Sequence, residues 1–369
     1  MFSLTPSDEQ KMIAETAGSF AREQVRPRAH EADEHGQIPA DLLQAGWDLG
    51  LVGAVVPEAY GGAGMERAAV TGAMVAEELA FGDLAIALAL LTPALFAYPV
   101  LSCGTDGQKA KYLPALNGPS PAALTAAVME PTMNFDLSAL ATVAKKSGAG
   151  WTLDGKKCLV PLAATAERFL VYAAIDGQPG YENVGAFIVE SGAAGLTVTE
   201  RERWMGLGAL PTAGLELAGV QVDAAARLGG DTGCDFGKLM SYARVALAAM
   251  AVGVARAANQ YARDYAKERV AFGEPIAHKQ AIAFMIAEDY MEIEATRLLV
   301  WEAAWRLDAG QDAFNAAYLA KLYADQMVLK AADDAVQTLG GHGYIREHPV
   351  ELFLRNGRGF ATFDGIAIV

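Results

Sequence analysis

The chain has 369 residues and a formal charge of −15, with 53% apolar and 20% charged residues. That length builds two or three domains around a large core. The acidic balance excludes a general nucleic-acid partner, because phosphate binding needs a basic face, though it leaves room for a local basic pocket around an anionic cofactor. Cys103, Cys158 and Cys234 are far apart in sequence and show neither metal spacing nor a disulfide framework. This points to a reducing compartment, and we expect a cytoplasmic protein with no metal.

In chain order, Met1-Phe2-Ser3-Leu4 leads into Thr5-Pro6-Ser7-Asp8-Glu9, a helix start with no signal peptide before it. Residues 7 to about 118 read as helices. Pro39 opens one that carries Leu42, Leu43, Trp47 and Leu51, and another runs from Glu66 to Phe81. The apolar run from Leu84 to Leu101 is interrupted by Thr92, Pro93 and Pro99. A membrane span needs about 20 apolar residues without such breaks, so this run is expected to form buried helices. Gly104-Thr105 starts a further helix ending near Leu116.

The composition changes near Pro119. From Leu124 to about Leu228 short apolar runs alternate with turn signals, as strands do. A hairpin turn is expected at Asp154-Gly155. From Gly233 the helical period returns. One long helix runs from about Asp235 to Arg269. A second carries Ile282, Ile286, Asp289, Ile293 and Val300, and a third Phe314, Tyr318, Leu322, Leu329 and Val336. These stripes are read as the buried faces of an antiparallel bundle. The expected fold is α+β: an N-terminal helical domain (1–118), a middle small β-barrel or sandwich (119–232) and a C-terminal antiparallel four-helix bundle (233–369).

Several ordered motifs lie toward the C-terminus. Arg269, Phe272, Gly273 and Gln280 follow the spacing R-x-x-F-G with Gln seven residues on. Gln337 precedes Gly340-Gly341, where glycine closes a helix. Asp364 stands between Phe363 and Gly365. Upstream, residues 50–62 read Gly-Leu-Val-Gly-Ala-Val-Val-Pro-Glu-Ala-Tyr-Gly-Gly, and residues 104–114 Gly-Thr-Asp-Gly-Gln-Lys-Ala-Lys-Tyr-Leu-Pro. Over nearly its whole length the chain resembles the acyl-CoA dehydrogenase family of flavoproteins.

The resemblance implies FAD as cofactor, an acyl-CoA thioester as substrate and an electron-transfer flavoprotein as acceptor. In the family, a carboxylate removes the α-proton while the β-hydrogen leaves as hydride to flavin N5. The resemblance makes Asp364 the base, with Arg244 a buried cation beside it. Phe363, Gly365 and Phe135 become substrate contacts. It assigns Arg269, Phe272 and Gln280 to the adenine side of an FAD held mainly by a neighbouring subunit. Gln337, Gly340 and Gly341 supply contacts to the same cofactor. A homo-oligomer or heterotetramer with shared sites follows.

The chain departs from the family where the flavin is faced. The family strand Thr-Glu-Pro…Ser-Asp here follows Val128 as Met129-Glu130-Pro131-Thr132-Met133-Asn134-Phe135-Asp136. Val128 and Met129 are thus the cofactor-side positions, but Met129 and Phe135 offer no hydroxyl. The family's Trp-Ile-Thr-Asn here is Leu159-Val160-Pro161-Leu162, and Pro161 has no N–H to donate. The base is Asp rather than the usual Glu. One lost methylene draws the carboxylate back by roughly 1.5 Å, and a misplacement of about 1 Å can cost ~100-fold. Some members carry their Glu just before the arginine that Arg244 resembles, where this chain has Ala243. The family normally continues with a further helix beyond the base loop.

Three functions follow in order of preference. The first is an FAD-dependent acyl-CoA dehydrogenase. The second is a non-catalytic or half-site subunit of a heteromeric dehydrogenase. The third is a nitroalkane-oxidase-like flavoenzyme using Asp as base. The histidines read as surface, turn or capping residues.

Overall fold

A computed structural model describes residues 5–369; Met1–Leu4, read above as the lead-in to the first helix, lie outside the described residues. Ser7 caps α1 (Asp8–Phe20). Its hydroxyl accepts from the Gln10 N–H, and the Gln10 side chain accepts from the Ser7 N–H, so two orphan donors are satisfied at once. The chain continues through α2 (Ala29–His35), α3 (Ala40–Asp48), α4 (Ala69–Gly82), α5 (Leu84–Leu91), α6 (Ala94–Cys103) and α7 (Asp106–Tyr112). α5 is buried along its whole length, and α6 is buried as far as Val100. Thr105 and Gln108 repeat the reciprocal cap at α7. The Gln108 amide also donates to the carbonyls of Ala225 (2.9 Å) and Arg227 (2.8 Å), tying the helical segment to the strands that follow.

Asp83 caps α5 by accepting from the Ile86 N–H at 2.9 Å. Burial pushes its carboxyl up from 3.8 to about 6, with Asp33 adding repulsion and Arg26 opposing. A carboxyl raised in the fold stabilises it fully below pH 3.8, and that contribution is lost as pH rises through 6. Asp83→Asn keeps an acceptor and does not titrate. Between pH 4 and pH 7 the variant is expected to gain roughly 2 kcal/mol relative to the parent in urea unfolding. Parallel stability curves for the two proteins would refute this.

The middle segment forms β1 (Leu124–Ala127), β2 (Val143–Ser147), β3 (Gly150–Pro161), β4 (Arg168–Ile175), β5 (Val184–Glu190), β6 (Leu196–Arg201) and β7 (Thr212–Asp223). They make one sheet in the order β1-β4-β2-β3-β7-β6, with β5 also on β4. β4 pairs in parallel with β1 and β2; the remaining pairs are antiparallel. Trp151, Leu153, Phe169, Val171, Phe187, Leu215 and Val220 pack a core of their own.

Asp154-Gly155 is not the hairpin. β3 runs straight through it, and its pairing with β7 shifts register there. The turn lies instead at Gly148, where φ is +57°. Gly155 is required for another reason: a Cβ there would come within 2.6 Å of Thr142, so the Asp-Gly pair marks a bulge.

One buried ion pair pins the strand ends of this segment. The Glu130 carboxylate accepts from the N–H groups of Ala141 (2.6 Å) and Thr142 (2.9 Å) and from Lys157 Nζ (2.8 Å). Lys157 Nζ also donates to the Val128 carbonyl at 2.9 Å. Burial pushes the Lys157 ammonium down to about 8, with Glu130 opposing. Burial works to raise the Glu130 carboxyl, but Lys157 and the Thr142 donors hold it below its ordinary value.

The C-terminal segment holds α8 (Phe236–Glu268), α9 (Gln280–Asp308), α10 (Phe314–Leu339) and α11 (Val350–Gly359), with a short hairpin, β8 (Val270–Ala271) and β9 (Glu274–Pro275), between α8 and α9. α8 is long and apolar enough to cross a membrane, and 89% of that apolar window is buried inside the protein.

α10 differs from expectation. Its buried face is Ala317, Ala320, Lys321, Ala324, Met327, Val328, Ala331, Ala332 and Ala335, while Tyr318 and Leu322 are exposed. Small side chains let α10 lie close against α8, which is itself rich in buried alanine. The bulky residues therefore face outward. With Leu319, Tyr323, Phe284, Tyr290, Met291 and Leu298 they are large apolar side chains exposed on α9 and α10.

Candidate active site and cofactor cleft

Asp364 follows a short 3₁₀ turn, Phe360–Thr362, at the end of α11. Phe363 is buried; its ring lies 5.9 Å from that of Phe360 and is covered by Gly359, where a Cβ would approach to 2.2 Å. It anchors the loop. Gly365, at φ +66°, lies against Val128, which a Cβ would meet at 2.8 Å. The base loop thus seats directly on the strand that leads to Met129. Phe135 is half-buried against the same core.

Arg244 reaches Asp364 from α8, with Nη2 at 3.5 Å from Oδ2. The same nitrogen donates to the Tyr181 hydroxyl at 3.3 Å, and the guanidinium lies 5.4 Å from the Phe314 ring and 5.3 Å from the Tyr318 ring. Aromatic faces hold a guanidinium without neutralising it. Asp364 Oδ1 is buried with no hydrogen-bond partner among the described residues. Burial raises the Asp364 carboxyl above its ordinary 3.8, against the pull of Arg244 and Lys321. A carboxylate with one oxygen unpaired and its pKa raised by burial is suited to removing a proton. Tyr181, Phe314, Tyr318 and Lys321 are not marked by any motif; only folding brings them to the base.

The second group of residues gathers elsewhere. Arg269, Gly340 and Gly341 line one cleft of about 300 Å³ with Tyr265, Thr338 and His342. A Cβ at Gly340 or Gly341 would touch nothing within 4 Å, so that wall is open. Phe272 turns the β8–β9 hairpin at φ +55°, followed by Gly273 at +87°. An aromatic residue in the left-handed region is uncommon, and this one is 97% exposed. Gln280 and Gln337 are also exposed, the first opening α9 and the second near the end of α10. An exposed guanidinium, a flat ring and bare backbone suit a diphosphate joined to an aromatic base. Asp364 is not among the residues that line this cleft.

His342 and His348 are more than surface residues. Tyr265 bonds His342 Nδ1 at 2.6 Å, Tyr261 bonds His348 Nδ1 at 2.7 Å, and the imidazoles stack at 5.5 Å. They line a neighbouring cleft of about 550 Å³ that shares Tyr265, Arg269 and His342 with the first.

At the positions around Met129 and Leu159–Leu162 assigned above to the cofactor side, the N–H donors described are already used or missing. The Leu159 N–H donates to the Glu202 carboxylate at 3.1 Å, the Leu162 N–H to the Pro211 carbonyl at 2.8 Å, and Pro161 has none. Met129 is half-buried, and its carbonyl accepts from the Cys158 N–H at 3.0 Å. The Arg269 cleft thus offers more unengaged polar and backbone surface than these strands do.

This helix–sheet–helix architecture, with Asp364 beside the buried Arg244, is that of an acyl-CoA dehydrogenase, and the chain belongs to that family. The family's N-terminal domain matches residues 7–118, its middle domain 125–220 and its C-terminal domain 236–367. Cyclohex-1-ene-1-carbonyl-CoA dehydrogenase of Syntrophus aciditrophicus is 36% identical over 97% of this chain and 87% of its own. The butyryl-CoA dehydrogenase structure from Megasphaera elsdenii superposes with a TM-score of 0.88 at 31% identity, covering 98% of this chain and 95% of that one. A structure described as the FAD complex of PigA gives 0.89 at 26% identity, covering 98% and 95%.

Proposed function

We propose that this chain dehydrogenates an acyl-CoA thioester between its α and β carbons, with FAD as cofactor. The observation that carries this reading is Asp364, unpaired at Oδ1 and held beside Arg244. Asp364 takes the α-proton. Arg244 offsets the carboxylate's charge before transfer and keeps its place on the aromatic rings afterwards. Arg269, Gly340 and Gly341 would help to hold FAD, which when bound would supply the two-electron acceptor chemistry for the β-hydrogen, with an electron-transfer flavoprotein as the partner that would receive the electrons. Mixing the FAD-loaded protein anaerobically with a series of acyl-CoA esters tests this: the flavin absorbance bleaches with at least one. Absence of bleaching with every ester, in protein holding one FAD per chain, refutes it.

The assembly is a homo-oligomer or heterotetramer with FAD at subunit boundaries. Its support is the exposed Phe272, the open Arg269 cleft and the outward apolar residues of α9 and α10. Arg269→Ala is expected to weaken FAD retention about tenfold or more on gel filtration, leaving thermal unfolding of the apoprotein unchanged. A variant that keeps its FAD rules out the shared cleft. We take residues 118 and 232 as unit boundaries, and read the protein as cytoplasmic and without a membrane span, in keeping with the buried α8.

A second reading has its own observation: the missing donors at Met129, Phe135 and Pro161. On that reading the chain is a half-site subunit. A purified protein that is colourless alone and turns yellow only with a related partner chain favours it over the first.

A further inference from the structure

Lys321 and Asp325 lie one turn apart on the buried side of α10, directly under the base loop. Lys321 Nζ donates to both Asp325 oxygens, at 2.7 and 2.8 Å, and to the Phe360 carbonyl at 2.8 Å. All three ammonium donors are thus used. The Phe360 carbonyl belongs to the turn that delivers Asp364, and it also accepts from the Phe363 N–H at 3.2 Å. Lys321 is buried, and the Asp325 side chain keeps 14% of its exposure. Neither residue belongs to the cofactor cleft or to any motif read from the sequence.

The charges around Asp364 can be counted by element. Arg244 comes from α8, Lys321 and Asp325 from α10, and the uncharged Tyr181 and Tyr318 complete the surroundings. With both carboxylates ionised, Lys321 is compensated by Asp325, and Arg244 is left to Asp364. With Asp325 neutral, the Lys321 charge falls on Asp364 and weakens it as a base.

We propose that Asp325, acting through Lys321, is a positioning residue that sets the basicity of Asp364 and holds its loop. This rests on Asp364 being the base. The field supports it: burial pushes the Asp325 carboxyl up to about 6, Lys321 opposes, and the Asp364 charge adds to the rise. The Lys321 charge in turn pulls the Asp364 carboxyl down, against its burial. The two acids are coupled through one ammonium.

The test is the pH dependence of flavin reduction by an acyl-CoA in single turnover, for the parent, Asp325→Asn and Asp325→Glu. In Asp325→Asn the acid limb moves down by about one pH unit, and the rate above it falls severalfold, by up to ~tenfold, as Brønsted behaviour sets for a weaker base. Asp325→Glu keeps the charge and holds the limb in place. A second readout is independent of turnover. In holoenzyme carrying ¹³C-carboxyl aspartate, the Asp364 resonance, assigned by its loss in Asp364→Asn, titrates about one unit lower when Asp325 is Asn. A limb and resonance unmoved in Asp325→Asn, or a rate loss equal at every pH, overturns the proposal. If Asp364→Asn itself leaves the rate intact, the base assignment fails instead, and the two failures are distinct.

Discussion

Asp364→Asn is expected to lower flavin reduction by an acyl-CoA on the order of a thousandfold, within the range for loss of a general base, while FAD stays bound. The amide has nearly the shape of the carboxylate, and Phe363, buried against Phe360, keeps the loop in place. The loss therefore reports chemistry. Asp364→Glu is the companion. Arg244 already lies 3.5 Å from the aspartate, and Gly365 is seated against Val128, so the backbone is placed for the shorter acid. An added methylene moves the carboxylate by roughly 1.5 Å, and a slower enzyme is expected, by up to ~100-fold. Restoration or gain of rate by Glu would mean that the loop had not adapted to Asp.

The second large effect concerns stability. Lys157→Met leaves Glu130 buried without its cation, although the Ala141 and Thr142 N–H groups remain. Breaking a buried pair from one side costs about 3–5 kcal/mol. Thermal unfolding of the variant is expected to fall accordingly. The double variant Glu130→Gln with Lys157→Met removes both charges and recovers most of the loss. If the double variant is as unstable as the single one, the cost lies in packing rather than in an orphaned charge.

Much of the fold was legible because its signals are local. The two Ser/Thr-x-x-Gln caps, at Ser7 and Thr105, mark helix starts through reciprocal hydrogen bonds that any such spacing can make. The break at Thr92-Pro93 divides the apolar run into two buried helices, α5 and α6, whereas Pro99 is accommodated inside α6. The face of α10 was not legible. Periodicity identifies Tyr318, Leu322 and Leu329 as a stripe, and bulk suggests that a stripe is buried, but close packing against α8 selects the alanine face instead. The Asp154-Gly155 pair misled in the same way: its glycine answers to Thr142 across the sheet, not to a local turn.

At the site, Asp364 and Arg244 could be named because motifs mark them. Their surroundings could not. Tyr181 is 63 residues from Arg244 in sequence and Phe360 39 from Lys321, and no pattern links such pairs before folding. The raised carboxyls of Asp325 and Asp364 are products of burial, which depends on the whole bundle.

Phe272, held fully exposed on a left-handed turn, has a consequence for behaviour in dilute solution. In the proposed assembly each chain places its ring and its Arg269 in a neighbour's site and cannot use them itself. Cofactor retention then obeys mass action between protein copies. Dilution sheds flavin, added flavin opposes dissociation, and specific activity declines with protein concentration even at saturating substrate. The melting temperature climbs with the logarithm of subunit concentration, and excess FAD flattens that slope.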